Sequence, residues 1–167
     1  MLASCAGGCS SRVTLKLDKN KITGTKLSIT LSGLTGGHSG VEIDKGRGNA
    51  NVLMSRILRD AMIDNNVYLA AFNGGRKDNA IPRECMAEII VAADKAADVK
   101  AAIENTAKEI KEEFATSDAD LKCVIDISEG CSAEAVTYED SIRAVSLIQS
   151  LPNGIMRMSQ DIDNLVE

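Results

Sequence analysis

The residues with the clearest chemical potential lie in a glycine-rich segment, SGLTGGHSG at positions 32–40. It contains His38, the only histidine of the chain, among four glycines and three residues with hydroxyl side chains. An imidazole donates or accepts hydrogen bonds through its ring nitrogens and changes its charge near neutral pH. Glycine allows positive φ angles and close approach of the backbone to another molecule. The segment therefore predicts a loop that presents His38 to a ligand or a partner.

A zinc site needs more metal ligands, and a catalytic triad needs a more suitable nucleophile, than the chain supplies. A catalytic zinc ion takes three protein ligands, whereas the chain has one histidine, and its closest cysteines are Cys5 and Cys9 near the N-terminus. A metal site within this chain is therefore not expected. A catalytic triad would also have to use His38, and no serine or cysteine stands in an elbow-type motif. We do not expect the chain to be a hydrolase by itself.

Each candidate residue also has an alternative interpretation. Positions 33–40 resemble a phosphate-binding loop, but they lack the Lys-Ser/Thr pair of a P-loop and the spacing of a dinucleotide fingerprint. His38 can simply cap a turn or face solvent. Asn79, which precedes an Ala-Ile-Pro sequence, can close an Asx turn. Arg47 lies near a predicted helix start and is interpreted as a solvated residue rather than an anion clamp.

Composition limits the class of protein and of partner. The 167 residues (17.7 kDa) fit one domain, or one domain with an appendage. With 2% aromatic residues and a net charge of −5, a nucleic-acid partner is not expected. No apolar run is long enough to predict a membrane span. Five cysteines, with Cys85 and Cys123 inside predicted strands, favour a reducing compartment, so we expect a cytoplasmic location.

The spacing of apolar residues predicts the elements that must position the loop. Alternation predicts strands at 13–17 and 26–32, with a turn at 18–21 between them, and further strands at 67–72, 85–92 and 121–128. Helical spacing predicts helices at about 49–65, capped by Asn49 or Gly48, and at about 98–114. From residue 26 onward the order is β-α-β-β-α-β. This order predicts an α+β fold of the ferredoxin-like type, one antiparallel sheet with two helices on one face.

The pattern changes beyond residue 130. Thr137 predicts a helix N-cap, and apolar residues at helical spacing predict a helix that ends at Leu151 before a Pro-Asn-Gly sequence. We therefore expect three parts: an N-terminal segment at 1–12, a domain at 13–130 and a helical extension at 131–167. The extension has no terminating signal, so we expect it to be truncated.

Four motifs together resemble a known enzyme family. They are LSGLTGGHSGVEI at 31–43, GRGNA at 46–50, NAIPRE at 79–84 and LPNG at 151–154. These motifs resemble the aminoacyl-histidine dipeptidases, also called Xaa-His or carnosinase-type dipeptidases. That group lies within the zinc metallopeptidase family that includes carboxypeptidase G and acetylornithine deacetylase. The resemblance extends over most of the chain, from residue 5 to the C-terminus.

The resemblance implies a two-domain enzyme that hydrolyses Xaa-His dipeptides. In that family, a catalytic α/β domain holds two metal ions, zinc in this reading, and an inserted lid or dimerisation domain pairs two subunits. Positions 13–130 resemble the lid domain, and positions 1–12 would lead out of the catalytic domain. The resemblance therefore implies a homodimer and a dipeptide substrate for the whole protein. It implies no metal in this fragment, which alone would be inactive.

The resemblance also implies roles for individual residues. The histidine of the Gly-Gly-His-Ser-Gly loop contacts the scissile carbonyl oxygen in the family, commonly in the partner subunit, and that role falls on His38. An asparagine before the Ile-Pro strand contacts substrate, which corresponds to Asn79, and Gly37 and Ser39 are expected at the same substrate site. The family's carboxylate-binding arginine is not assigned to a position here. The alternative is a non-catalytic module, for dimerisation or for sensing a ligand at the glycine-rich loop.

Overall fold

The computed structural model describes residues 10–163 and residue 165. Its elements in chain order are β1 (Lys19–Ser32), β2 (Gly37–His38), α1 (Ala50–Ala61), β3 (Tyr68–Gly74), β4 (Ala80–Ile81), β5 (Cys85–Val91), α2 (Ala96–Glu113), β6 (Lys122–Val136) and α3 (Tyr138–Ser150). The N-terminal residues that include Cys5 and Cys9 lie outside the described part. No helix in the described part is long and apolar enough to cross a membrane.

Four strands form one antiparallel sheet in the order β3-β5-β1-β6. Together with α1 and α2, these strands follow the predicted β-α-β-β-α-β order. The predicted α+β class with an antiparallel sheet is therefore confirmed. The short strands β2 and β4 form a separate antiparallel pair beside it.

One hydrophobic core lies between the sheet and the helices. Alternate residues of β1 point into it, and the three largest, Leu27, Ile29 and Leu31, have no solvent exposure. Buried residues of all three helices belong to the same core. At roughly 1.5–3 kcal/mol for each fully buried aliphatic side chain, this burial is the main term that holds sheet and helices together.

The first two helices lie close to their predicted positions. The Asn49 side chain caps α1 as predicted, accepting hydrogen bonds from the backbone N–H groups of Asn51 (3.0 Å) and Val52 (3.4 Å). α1 ends at Ala61, earlier than predicted, because the Asn65 side chain donates to the Ala61 carbonyl at 3.2 Å and closes the last turn.

β1 and β6 differ from the predicted strands because they pair with each other, although they lie far apart in the sequence. Positions 13–17 are irregular rather than a strand, and the predicted turn at 18–21 contains the start of β1. β6 continues to Val136 instead of ending at residue 128. β1 and β6 pair along their lengths, with a bulge just after Gly24. A Cβ added at Gly24 would lie 2.2 Å from the Val91 carbonyl oxygen, so only a glycine fits at this position. Residue 130, where a domain boundary was expected, lies inside β6.

The outer edge of β3 is covered. Its Leu69 N–H donates to the buried Ser141 hydroxyl of α3 at 2.8 Å, and its Ala70 carbonyl accepts from Lys19 Nζ at 3.1 Å. α3 begins at the predicted N-cap, where Thr137 Oγ1 accepts from the backbone of the first turn. β6 forms the opposite edge of the sheet.

Candidate functional site

The predicted site residues come together at the pair of short strands. In the β2–β4 pair, Gly37 lies opposite Ile81 and His38 opposite Ala80. Just beyond the pair, the Ser39 N–H donates to the Asn79 carbonyl at 3.1 Å. The glycine-rich loop and the Asn79 turn therefore form one structural unit, although about 40 residues separate them in sequence.

The His38 ring is exposed, and one of its nitrogens is occupied by its own turn. Nδ1 accepts hydrogen bonds from the backbone N–H groups of Gly40 (3.0 Å) and Val41 (3.2 Å). An imidazole nitrogen that accepts hydrogen bonds carries no proton, so the neutral ring carries its proton on Nε2. The ring thus caps a turn through one nitrogen and offers a hydrogen-bond donor at the other.

A carboxylate that the sequence analysis did not identify holds the turn. Glu42 Oε2 accepts from the His38 N–H at 2.9 Å, and Glu42 Oε1 accepts from Arg47 Nη1 at 2.8 Å. The hydrogen bond from His38 and the guanidinium of Arg47 hold the pKa of Glu42 below its usual value. The only feature of the sequence that could have pointed to Glu42 was its place in the LSGLTGGHSGVEI motif.

Arg47 is not the solvated residue that was predicted. Only 21% of its side chain is exposed, and the same Nη1 also donates to the Gly36 carbonyl. The arginine therefore connects the start of the glycine-rich loop to Glu42. A Cβ at Gly37, whose φ is +146°, would lie 2.5 Å from Arg47 Nη1 and 2.9 Å from Glu42 Oε2. A glycine is needed here because any side chain would displace this ion pair.

A second carboxylate anchors the other end of the loop. Asp118, 1% exposed, follows α2 and accepts from the N–H groups of Thr35 (2.8 Å) and Gly48 (2.9 Å) and from the Ser117 hydroxyl (2.8 Å). Burial alone would raise the pKa of Asp118, but these hydrogen bonds outweigh it and lower the pKa. Asp118 thereby fixes the loop to the residue just before the N-cap of α1. Its two backbone partners lie 83 and 70 residues away in sequence, so no local pattern pointed to it.

A groove of about 630 Å³ lies beside the Asn79 turn. Its lining includes Asn49 and Asn51 and the charged residues Arg76, Lys77 and Asp78. The LPNG segment also reaches it, where Asn153 accepts a hydrogen bond from the Asn49 side chain at 2.7 Å. The groove combines amide groups with charged groups of both signs, which suits a polar ligand.

The residues of this site can donate hydrogen bonds, but those that the structure describes do not form a metal-binding group. The described residues contain no group of three His, Cys, Asp or Glu side chains placed to bind one ion. Beside His38, the nearest carboxylate is Glu42, and both of its oxygens already accept hydrogen bonds. Zinc therefore does not fit the residues of this site. Cys85 is buried, and desolvation raises its pKa to about 12, so it does not supply a thiolate nucleophile.

Comparison with known proteins gives consistent results. Residues 29–118 match the family model described as a peptidase dimerisation domain. The chain is 39% identical over 166 residues to the cytosol non-specific dipeptidase of Escherichia coli (strain K12), covering 98% of this chain and 34% of that protein. The crystal structure of an aminoacylhistidine dipeptidase from Vibrio alginolyticus superposes with a TM-score of 0.84 at 30% identity, covering 92% of this chain and 31% of that one. The chain thus spans about a third of each relative.

Proposed function

Since this chain belongs to the peptidase dimerisation domain family, we propose that it is the lid and dimerisation domain of a longer, cytoplasmic dipeptidase. The observation that supports a catalytic contribution is the pose of His38. Its ring is exposed, and its Nδ1 is bonded to the turn, which leaves an Nε2–H donor for another molecule.

In this proposal, His38 stabilises the charge that develops during peptide hydrolysis. The Nε2–H donates to the carbonyl oxygen of the scissile bond in the active site of the same or a partner subunit. As a nucleophile adds to the carbonyl carbon, that oxygen becomes negative and its hydrogen bond to His38 strengthens. The nucleophile and the two zinc ions that the resemblance implies would belong to the part of the longer protein outside this chain.

The substrate would also contact the residues around His38. We place Asn79, Gly37 and Ser39 at the substrate site, because the β2–β4 pair brings all three next to the histidine. The similar proteins carry the names non-specific dipeptidase and aminoacylhistidine dipeptidase. Dipeptides are therefore the proposed class of substrates, and Xaa-His dipeptides are the proposed members of that class.

The test is the substitution His38→Ala in the complete dipeptidase. Removing one oxyanion donor lowers kcat by about 10²–10³-fold, and we expect that loss without a change in the thermal unfolding midpoint. Val41→Ala is the matched control, because its side chain is 81% exposed in the same loop and its backbone N–H is retained. Assays on an Xaa-His dipeptide and on a dipeptide without histidine test substrate preference. A His38→Ala enzyme with near-normal kcat would refute the assignment.

Dimerisation is a second, compatible function that the family description favours. Because α3 and Lys19 cover the edge of β3, the outer edge of β6 is where a second copy would extend the sheet. Val124 of β6 is 47% exposed. If the chain sediments as a dimer, Val124→Lys is expected to shift it toward monomer. Val13→Lys, at a residue 56% exposed in an irregular segment, is the control. A chain that stays monomeric at high concentration would count against this function.

A further inference from the structure

The turn at residues 38–42 closes on itself through four hydrogen bonds. Two join its ends: Glu42 N–H donates to the His38 carbonyl (3.1 Å), and His38 N–H donates to Glu42 Oε2 (2.9 Å). The other two run from the Gly40 and Val41 amides to His38 Nδ1. The backbone of the turn thus surrounds the Nδ1 side of the imidazole, and the Nε2 side faces outward.

The Glu42 side chain is itself held in place. Arg47 Nη1 contacts Glu42 Oε1 at 2.8 Å and also donates to the Gly36 carbonyl, so the arginine joins the two sides of the loop. The absence of a side chain at Gly37 makes room for this pair. Because charge-assisted hydrogen bonds are stronger than neutral ones, the pair restrains the carboxylate that closes the turn.

We propose that Glu42 is a positioning residue that holds the His38 ring with Nε2–H directed outward. It does so by closing the turn, which aims the Gly40 and Val41 amides at Nδ1. Without the Glu42 carboxylate, only the backbone bond from Glu42 N–H to the His38 carbonyl still joins the ends of the turn. The turn then loosens, the two amides move away from Nδ1, and the ring becomes free to rotate about its side-chain bonds. The catalytic use of this pose rests on the proposed function, whereas the pose itself does not.

The pose can be measured on the 167-residue chain by NMR. His38 is the only histidine, so its ring nitrogens give unambiguous signals in ¹⁵N-labelled protein. At a pH where the ring is neutral, we expect scalar couplings across the hydrogen bonds from the two amides to Nδ1, and ring shifts that show the proton on Nε2. Glu42→Ala should abolish the couplings. Glu42→Gln should weaken them less than Glu42→Ala does, because its amide oxygen still accepts from the His38 N–H although its NH2 group cannot pair with Arg47. The control Glu134→Ala, at an exposed position of β6, should leave them unchanged.

Two NMR results would overturn the inference. One is the absence of these couplings in the unmodified chain, and the other is their persistence in Glu42→Ala. The thermal unfolding midpoint of each variant shows whether a lost coupling reflects the turn alone or global unfolding. If Glu42→Ala unfolds the chain, Arg47→Lys provides a milder test, because it weakens the support of Glu42 while the carboxylate remains; unchanged couplings there would also count against the inference.

The complete dipeptidase separates this inference from the proposed function. Misplacing the donor should lower kcat of Glu42→Ala by about 10- to 100-fold with KM little changed, and Glu42→Gln should recover part of the activity. If the couplings are lost but kcat is unchanged, Glu42 positions His38 and the catalytic role of His38 is refuted. If kcat falls while the couplings persist, the positioning role of Glu42 is refuted.

Discussion

The buried carboxylate of Asp118 should be among the most sensitive positions of this domain. It accepts hydrogen bonds from the N–H groups of Thr35 and Gly48 and from the Ser117 hydroxyl, all within 2.9 Å. Asp118→Ala removes both acceptor oxygens and with them all three hydrogen bonds. The bond to Gly48 is fully buried, so water does not readily replace the lost oxygen.

The expected loss of stability follows from these hydrogen bonds. Each bond to a charged group contributes about 1.5–3 kcal/mol, and an unsatisfied buried N–H costs about 1–3 kcal/mol. With two backbone donors affected and some relaxation of the exposed side of the loop, we expect the free energy of unfolding to fall by about 3–5 kcal/mol. That is a large part of the roughly 5–15 kcal/mol available to a typical domain.

Urea denaturation followed by circular dichroism measures this loss. Asp120→Ala is the matched control, because Asp120 lies in the same connection and is exposed, so its effect should stay within about 0.5 kcal/mol. Asp118→Asn keeps one acceptor oxygen and should fall between the two. A loss below about 1 kcal/mol for Asp118→Ala would show that this carboxylate does not anchor the loop.

The Asp118 carboxylate should also make the free energy of unfolding depend on pH. The pKa of Asp118 is lowered in the folded chain, so its contribution is fully present above the unfolded value of about 3.9 and is lost as the pH falls through the folded value. The stability difference between the unmodified chain and Asp118→Asn should therefore narrow below about pH 4. A constant difference down to acid unfolding would contradict the lowered pKa.

Three further predictions test other features. Gly37→Ala should lower kcat of the complete dipeptidase, because its Cβ would meet a guanidinium nitrogen at 2.5 Å; unchanged kinetics would contradict this contact. Ser141→Ala should lower the free energy of unfolding by about 1–3 kcal/mol, because it leaves the buried Leu69 N–H without an acceptor. Ser150→Ala, at an exposed hydroxyl, should have little effect. Burial raises the pKa of Cys85 to about 12, so peptide mapping should find it alkylated at pH 8 only after unfolding; rapid alkylation of the folded chain would show that the thiol is accessible.

The elements that depend on local signals could be predicted from the sequence. α1 and α2 were predicted because an apolar stripe at helical spacing and, for α1, the Asn49 cap are encoded within one stretch of chain. The strands that flank the core were predicted for the same reason, since their alternation is local. Their antiparallel arrangement follows from the β-α-β-β-α-β order.

The long pairing of β1 with β6 could not be predicted in this way. Lys19 to Lys21 and Gly24 have the composition of a turn, but they pair with residues more than 100 positions later. That pairing satisfies their backbone groups and outweighs the local preference. Conversely, positions 13–17 alternate like a strand but have no strand partner in the described structure.

The candidate site was predicted in part. His38 and Asn79 were identified from their motifs, and the β2–β4 pair places them together. Their roles remain predictions. Glu42 and Asp118 were missed, and Arg47 was misinterpreted, because a charged residue in a polar loop looks solvated unless its partner is known. For Asp118, those partners come from distant parts of the sequence.

The anchoring of the loop at Asp118 also has a consequence for motion. One carboxylate joins the loop, the start of α1 and the connection between α2 and β6. The two ends of the loop are therefore fixed relative to the helices. If His38 has to travel a long way toward a bound peptide, we expect the whole domain to rotate as a rigid body about a hinge outside residues 33–48.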